Sequence, residues 1–118
     1  MNILSNLSFF IGEELQQICF GHFTLQFQFM NNIYISCTYK VRFSAPTIET
    51  NEWDSYDGGR QVSFNNLLAR RITIATFDEK EEILTLLFDN GGQLSFIKDL
   101  REIGESYVVH CNTDFEVI

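Results

Sequence analysis

Proline is almost missing from this sequence, with one in 118 residues, so many β-strands can form without interruption. Cysteine is scarce as well. Cys19, Cys37 and Cys111 cannot all pair within one chain, which excludes a disulfide framework and fits reduced thiols in the cytoplasm. Basic residues are few: eight Lys and Arg stand against sixteen Asp and Glu, for a formal charge of −8 and a pI near 4.5. Such a field repels nucleic acid and anionic lipid and draws cationic partners in at long range, although acidity also serves plain solubility. Long apolar runs are lacking too. The opening "MNILSNLSFFIGEELQQ" has no basic flank, and two glutamates follow its short apolar run at once, so neither a signal peptide nor a membrane span is expected.

What is abundant is phenylalanine, twelve of it, with four Tyr and one Trp, in a chain that is 45% hydrophobic. That length and content suit one domain with a single core and argue against disorder. The aromatic and β-branched residues alternate. Leu25, Phe27 and Phe29 share one face with Thr24, Gln26 and Gln28 opposite, and Ile33, Ile35, Cys37, Tyr39, Val41 and Phe43 continue a strict period of two.

The chain also repeats itself. "LQFQFMNNIYI" from Leu25 matches "LTLLFDNGGQLSF" from Leu84, and "FIGEELQQICF" from Phe10 matches "LARRITIATF" from Leu68, with Leu15, Ile18 and Phe20 on Ile72, Ala75 and Phe77. The offset runs from 57 through 59 to 61 as turns lengthen. Each half reads as a short helical lead-in, a strand and a hairpin. Keeping cross-strand partners on one face sets Phe29 opposite Ile33 and Phe88 opposite Leu94, with three-residue loops Met30–Asn32 and Asn90–Gly92 and a left-handed residue at Asn32 and at Gly92.

Short helical turns are expected at Ser5–Ile11, Asn65–Ala69 and Asp99–Ile103, the last stopped by Gly104. Tyr107–Cys111 and Phe115–Ile118 read as further strands. "SAPTIETNEWDSYDGGR", Ser44 to Arg60, is a surface connection or a loose hairpin. The predicted fold is therefore a single mainly-β domain over 1–118. Two pseudo-repeats, about 10–43 and 67–111, pack as a sandwich or half-open barrel with one to three short helices.

The glycine-led opening and "CFG" of "FIGEELQQICFG", then "LQFQF", then "LLARRITIATFDEKEEILTLLFDNGGQLSF" and the closing "ESY" at Glu105–Tyr107 resemble a small bacterial domain-of-unknown-function family. Its members have two such halves, a variable stretch between them and the same late motif. The resemblance runs from about Phe10 to Tyr107. It implies an association with toxin immunity genes and carries over no catalytic residues. Two departures leave the fold intact: Asn31-Asn32 stand where a glycine is usual, and Arg70 stands where the first half has Gly12.

Chemistry-bearing residues are sparse. Cys19 and His22 have a C-x-x-H spacing and His110 adjoins Cys111, but a zinc site would also need Cys37, which belongs to the apolar row. No nucleophile elbow is present, and "DNGG" lacks the lysine and helix of a phosphate loop. The carboxylates Asp78, Glu79, Glu81 and Glu82 read as a solvated turn, and Arg70-Arg71 is too isolated for a nucleic-acid patch. No enzyme, metal or cofactor is expected.

Partner binding is the reading left. Glu49, Glu52, Trp53, Asp54, Tyr56 and Asp57 set aromatics among acids, the make-up of a hot spot for a Lys/Arg-rich protein. The alternative is that Trp53 folds back onto the sandwich and the acids only solvate the loop. A second surface is the outer face of the first hairpin and its long strand, Gln26, Gln28, Tyr34, Ser36, Thr38, Lys40 and Arg42, which a wet sheet face would carry in any case. The function expected from the sequence is non-catalytic protein binding in the cytoplasm, as an immunity protein neutralising a cationic bacterial toxin such as a nuclease. The other possibility is a structural or small-ligand-binding β module.

Overall fold

The computed structural model describes residues 3–46, 48–55, 64–101 and 105–118. The alternating stretches all become strands: β1 (Leu15–Phe20), β2 (Leu25–Phe29), β3 (Ile33–Cys37), β4 (Lys40–Ala45), β5 (Ile48–Asp54), β6 (Ile72–Asp78), β7 (Ile83–Phe88), β8 (Gln93–Ile97), β9 (Tyr107–Cys111) and β10 (Asp114–Val117). Short 3-10 turns occupy Ile3–Ser5, Leu7–Phe10 and Asn65–Leu67. Asn6 caps the second of them by accepting from the Ser8 N–H. The turn expected at Asp99–Ile103 is not helical at Asp99–Arg101, and residues 102–104 lie outside the described set.

The strands form two antiparallel five-stranded sheets packed as a sandwich, a front sheet ordered β1-β2-β3-β9-β10 and a back sheet ordered β5-β4-β8-β7-β6. Read from its other edge, the back sheet is β6-β7-β8-β4-β5, the same arrangement with the halves interchanged. Each half therefore builds three strands of its own sheet and sends its last hairpin across to complete the other. The repeat is longer than the alternation alone suggests: β5 answers β10, and Trp53 answers Ile118, both 6% exposed. Both sheets also carry a β-bulge at the matching place, between Leu15 and Gln17 and between Ile72 and Ile74.

The two halves meet where β1 and β6 begin. Glu14 bridges Arg71. Around it the hydrogen bonds are paired: Gly12 N–H to Ile72 O at 2.8 Å is mirrored by Ala69 N–H to Leu15 O at 2.9 Å. Gly12 (φ 83°) and Ala69 (φ 65°) are both left-handed, so the counterpart of Gly12 is Ala69, not Arg70. A Cβ on Gly12 would meet nothing within 4 Å, which leaves backbone conformation as the only cost. Gly12→Ala is expected to destabilise by about 1 kcal/mol and Ala69→Gly to stabilise by up to about 1 kcal/mol, read as opposite shifts of the urea midpoint.

Two further expectations need correction. The period-two run Ile33–Phe43 is not one strand: the chain bends at Thr38-Tyr39 and crosses from the front sheet to the back. The inward residues on both sides of the bend stay buried, Cys37, Tyr39, Val41 and Phe43 alike. In the second hairpin Leu86 lies opposite Leu94, and Phe88 N–H bonds Gly92 O at 2.8 Å. Its loop is thus Asp89–Gly91, not Asn90–Gly92, and the offset between halves stays at 59 here (94 − 35). Gly91 is the left-handed residue, at φ 84°. The first hairpin has the predicted register, with Phe27 opposite Ile35, but both Asn31 and Asn32 are left-handed.

The two inner faces make one core. Phe27 stands edge-on to Phe96 of the opposite sheet, with centroids 5.5 Å apart, and to Phe64 at 5.3 Å. Phe64, 1% exposed, reaches in from beside the third 3-10 turn and also meets Phe43 at 5.8 Å. Phe29, Leu86 and Phe88 are likewise buried.

Candidate functional site

The "ESY" segment is a structural junction. Thr38, at the bend from β3 to β4, donates its N–H to Ser106 O at 2.9 Å. Ser106 Oγ accepts the Asp99 N–H at 2.9 Å, and the Tyr107 hydroxyl donates to Glu82 O at 2.7 Å. Burial pushes the Tyr107 phenol well above its ordinary pKa. The motif therefore ties the two sheet-to-sheet crossings together, a scaffold role that needs no substrate.

Of the acidic hairpin, Glu52 and Asp54 lie on β5, Tyr56 and Asp57 lie outside the described residues, and so does the Glu49 side chain. Within Ser44–Arg60, Ser44 and Ala45 end β4 and Ile48–Asp54 form β5, which pairs with it antiparallel. Trp53 sits opposite Val41 on the inner face and belongs to the core, so it is not an exposed anchor. Period two explains the split, because in a strand Trp53 must point away from Glu52 and Asp54. The acids also meet cations across the strand pair, Arg42 to Glu52 at 3.4 Å and Lys40 to Asp54 at 4.0 Å. These exposed pairs add little stability, but they cancel the charge the hairpin was expected to present.

The candidate thiols and imidazoles are divided by the sheet. Cys37 and Cys111 follow the inner parity of β3 and β9, while Cys19 and His110 lie on the outer face, on strands separated by β2 and β3. Burial raises the Cys37 thiol well above its ordinary pKa and also raises that of Cys111, which disfavours the thiolate at both. Among the described residues no group of three His, Cys, Asp or Glu could hold a metal. Two poorly exposed carboxylates have structural partners. Glu13 accepts from Asn31 Nδ2 at 3.0 and 3.1 Å, and Asp99 accepts from Arg101 Nε at 3.1 Å. That guanidinium contact holds the Asp99 carboxyl below its usual range.

The second surface of the sequence reading is also split. Lys40 and Arg42 belong to the back sheet, Thr38 to the bend, and Gln26, Gln28, Tyr34 and Ser36 to the front sheet. On the front sheet those four join residues from the other half. One row across all five strands is Gln17, Gln28, Tyr34, His110 and Phe115, and the next is Cys19, Gln26, Ser36, Val108 and Val117. Neither row carries an acidic or a basic side chain other than His110. Partial burial depresses the His110 pKa, against an opposing pull from Glu105, which favours the uncharged imidazole. Tyr34 and His110 stack at 3.9 Å and 14°, and Phe115 follows at 6.0 Å from His110. Phe115 is 63% and Val117 49% exposed.

The matching rows of the back sheet differ in charge on one side and in aromatic content on the other. The row answering Cys19, Gln26, Ser36, Val108 and Val117 is Thr76, Thr85, Ser95, Arg42 and Glu52, which is charged, whereas Ile74, Leu87, Gln93 and Ser44, which answer Gln17, Gln28, Tyr34 and His110, carry neither charge nor an aromatic ring. By position, the Val108–Val117 pair of the front sheet stands where the back sheet has the Arg42–Glu52 ion pair. Beside Tyr34 an open hollow of about 460 Å³ is lined by Gln26, Gln28, Phe29, Asn31, Asn32, Ile33 and Tyr34. Sequence reasoning saw half of this surface. β9 and β10 come from the other repeat, and nothing local in the sequence announces that they lie beside β3.

Among the described residues no helix is long and apolar enough to cross a membrane. No family model, curated protein or solved structure matches the chain.

Proposed function

We propose that this chain is a non-catalytic protein-binding module that docks a basic protein on the outer face of its front sheet. The concrete form of this reading is a cytoplasmic immunity protein that neutralises a cationic bacterial toxin. The observation that carries it is the uncharged, aromatic face formed by the Tyr34, His110 and Phe115 row in a protein of net charge −8. Charge depletion with Tyr and Phe enrichment marks the centre of protein interfaces. The acids elsewhere, including Asp114 and Glu116, which alternate with Phe115 and Val117 and take the opposite side of β10, would draw a basic partner in at long range. The paired Glu52 and Asp54 take a minor part, and the structural roles found for Glu13, Asp99 and "ESY" support a non-catalytic chain.

The test is co-expression with the product of the gene next to this one. Cells should survive that product only when the chain is present, and the complex should form more slowly as salt rises. Tyr34→Ala combined with Phe115→Ser should weaken the complex at least about tenfold, the loss of one contact worth roughly 1.4 kcal/mol, with little change in melting. Glu52→Gln with Asp54→Asn should change it less than about twofold. The reverse pattern, or protection without physical association, would overturn the reading.

A further inference from the structure

The hollow beside Tyr34 has a chemistry of its own, distinct from the apolar end of the same face at Phe115 and Val117. Four of its seven lining residues carry side-chain amides, Gln26, Gln28, Asn31 and Asn32, and they stand beside Phe29, Ile33 and Tyr34. Among the described residues the side-chain amides of Gln26, Gln28 and Asn32 form no hydrogen bond within the protein. Asn31 differs, because its Nδ2 is committed to Glu13. Each free amide offers a donor pair and an acceptor at a fixed separation. Gln26 and Gln28 lie two residues apart on β2, on the same face and half-buried, so their stems are held by the sheet while their ends remain available.

Tyr34 supplies the wall. His110 covers one face of its ring from the β9 side, which fixes the ring upright. On the other side Gln28 of β2 is its cross-strand neighbour, and the ring lines the hollow together with it. A ring held from behind and set among amides presents a flat apolar surface beside paired donors and acceptors. Ligands that need both at once have an apolar patch of C–H groups on one side and hydroxyls around the edge. No formal charge lines the hollow, so an ionic ligand would find no counter-charge there. The volume lies within the range of small-molecule sites.

We propose that this hollow binds a neutral saccharide, packed against the part of the Tyr34 ring that lines it and hydrogen-bonded through its hydroxyls to Gln26, Gln28 and Asn32. The inference shares Tyr34 with the protein-binding reading, but Phe115 belongs to that reading alone and the Gln26, Gln28 and Asn32 amides to this one, so the two can hold or fail separately.

Titration of the isotope-labelled full chain with a panel of neutral oligosaccharides (cello-, xylo-, malto- and chito-oligosaccharides) tests it, followed by amide NMR. At least one member should saturate, with the largest shifts on the side-chain amides of Gln26, Gln28 and Asn32. Its affinity should not move between low and high salt, because neither partner contributes charge. Tyr34→Ala should lower the affinity at least about tenfold and Gln28→Ala about threefold to tenfold, as expected for one lost packing or hydrogen-bonding contact. Tyr34→Phe, which keeps the ring, should stay within about threefold of the parent. Phe115→Ser should leave sugar affinity unchanged while it weakens a protein partner, so the two readings fail separately. Absence of saturation by every member, shifts centred elsewhere, or unchanged affinity in Tyr34→Ala would overturn the proposal.

Discussion

Replacing Phe27 with alanine is expected to remove about 3–5 kcal/mol of stability, the usual cost of emptying a phenylalanine site in a core that relaxes only in part. Phe27 is fully buried and is the ring on which the sandwich closes, edge-on to Phe96 of the back sheet and to Phe64 at the end of the layer. Its loss removes apolar burial and two aromatic contacts together. A domain of this size has only about 5–15 kcal/mol in hand, so the variant should melt on the order of 10–20 °C lower and unfold at a much reduced urea midpoint. Phe27→Leu, which keeps most of the volume, should cost about 1–1.5 kcal/mol. A Phe27→Ala protein that melts with the parent would mean that the two sheets do not close on this ring.

Trp53→Ala carries the second large effect, again about 3–5 kcal/mol, and it separates two views of one residue. As an exposed anchor, Trp53 would leave melting untouched on truncation and abolish partner binding. As the structure has it, Trp53 is 6% exposed on the inner side of β5, opposite Val41, where it closes the edge of the back sheet as Ile118 closes that of the front. Thermal and urea unfolding should therefore show the loss. Trp53→Phe should recover much of the stability and bind the partner as the parent does. Glu52→Gln with Asp54→Asn, tested alongside, should stay within about 0.5 kcal/mol, since exposed cross-strand ion pairs contribute little.

These two residues also mark how far the sequence could be read. Phe27 was legible because alternation is local: in a strand the side of the sheet follows from parity, and Leu25, Phe27 and Phe29 declare it within five residues. Trp53 was not, because an aromatic among acids has the same composition whether the acids flank it on a loop or alternate with it on a strand. Phe64 escaped notice for a related reason. It lies beside a 3-10 turn, where period two does not apply, and only the closure of the two sheets shows it to be buried. The hairpin loop at Asp89–Gly91 was displaced by one residue in the sequence reading, because two adjacent glycines allow either register and only the ladder from Leu84 to Leu87 chooses.

The candidate site lies further from the sequence than the core does. Gln26, Gln28, Tyr34 and Ser36 were visible as one wet face, but the same reading extended that face along Lys40 and Arg42. Parity runs unbroken through the bend at Thr38-Tyr39, so it carries no sign that the chain changes sheets there. Placing Lys40 and Arg42 against Asp54 and Glu52, and Tyr34 against His110, requires knowing which strands are neighbours.

By itself the amino-acid sequence determined that this is a β protein of two related halves and, in the alternating strands, which side chains face inward, because alternation depends on residues two positions apart. The tertiary structure alone decided that each half lends its last hairpin to the other. That exchange assembles the uncharged aromatic face from β2 and β3 of one repeat and β9 and β10 of the other. Its physical reason is that an antiparallel edge pairs with any strand of suitable length and parity, so the choice of partner rests on how both sheets bury their inner faces at once.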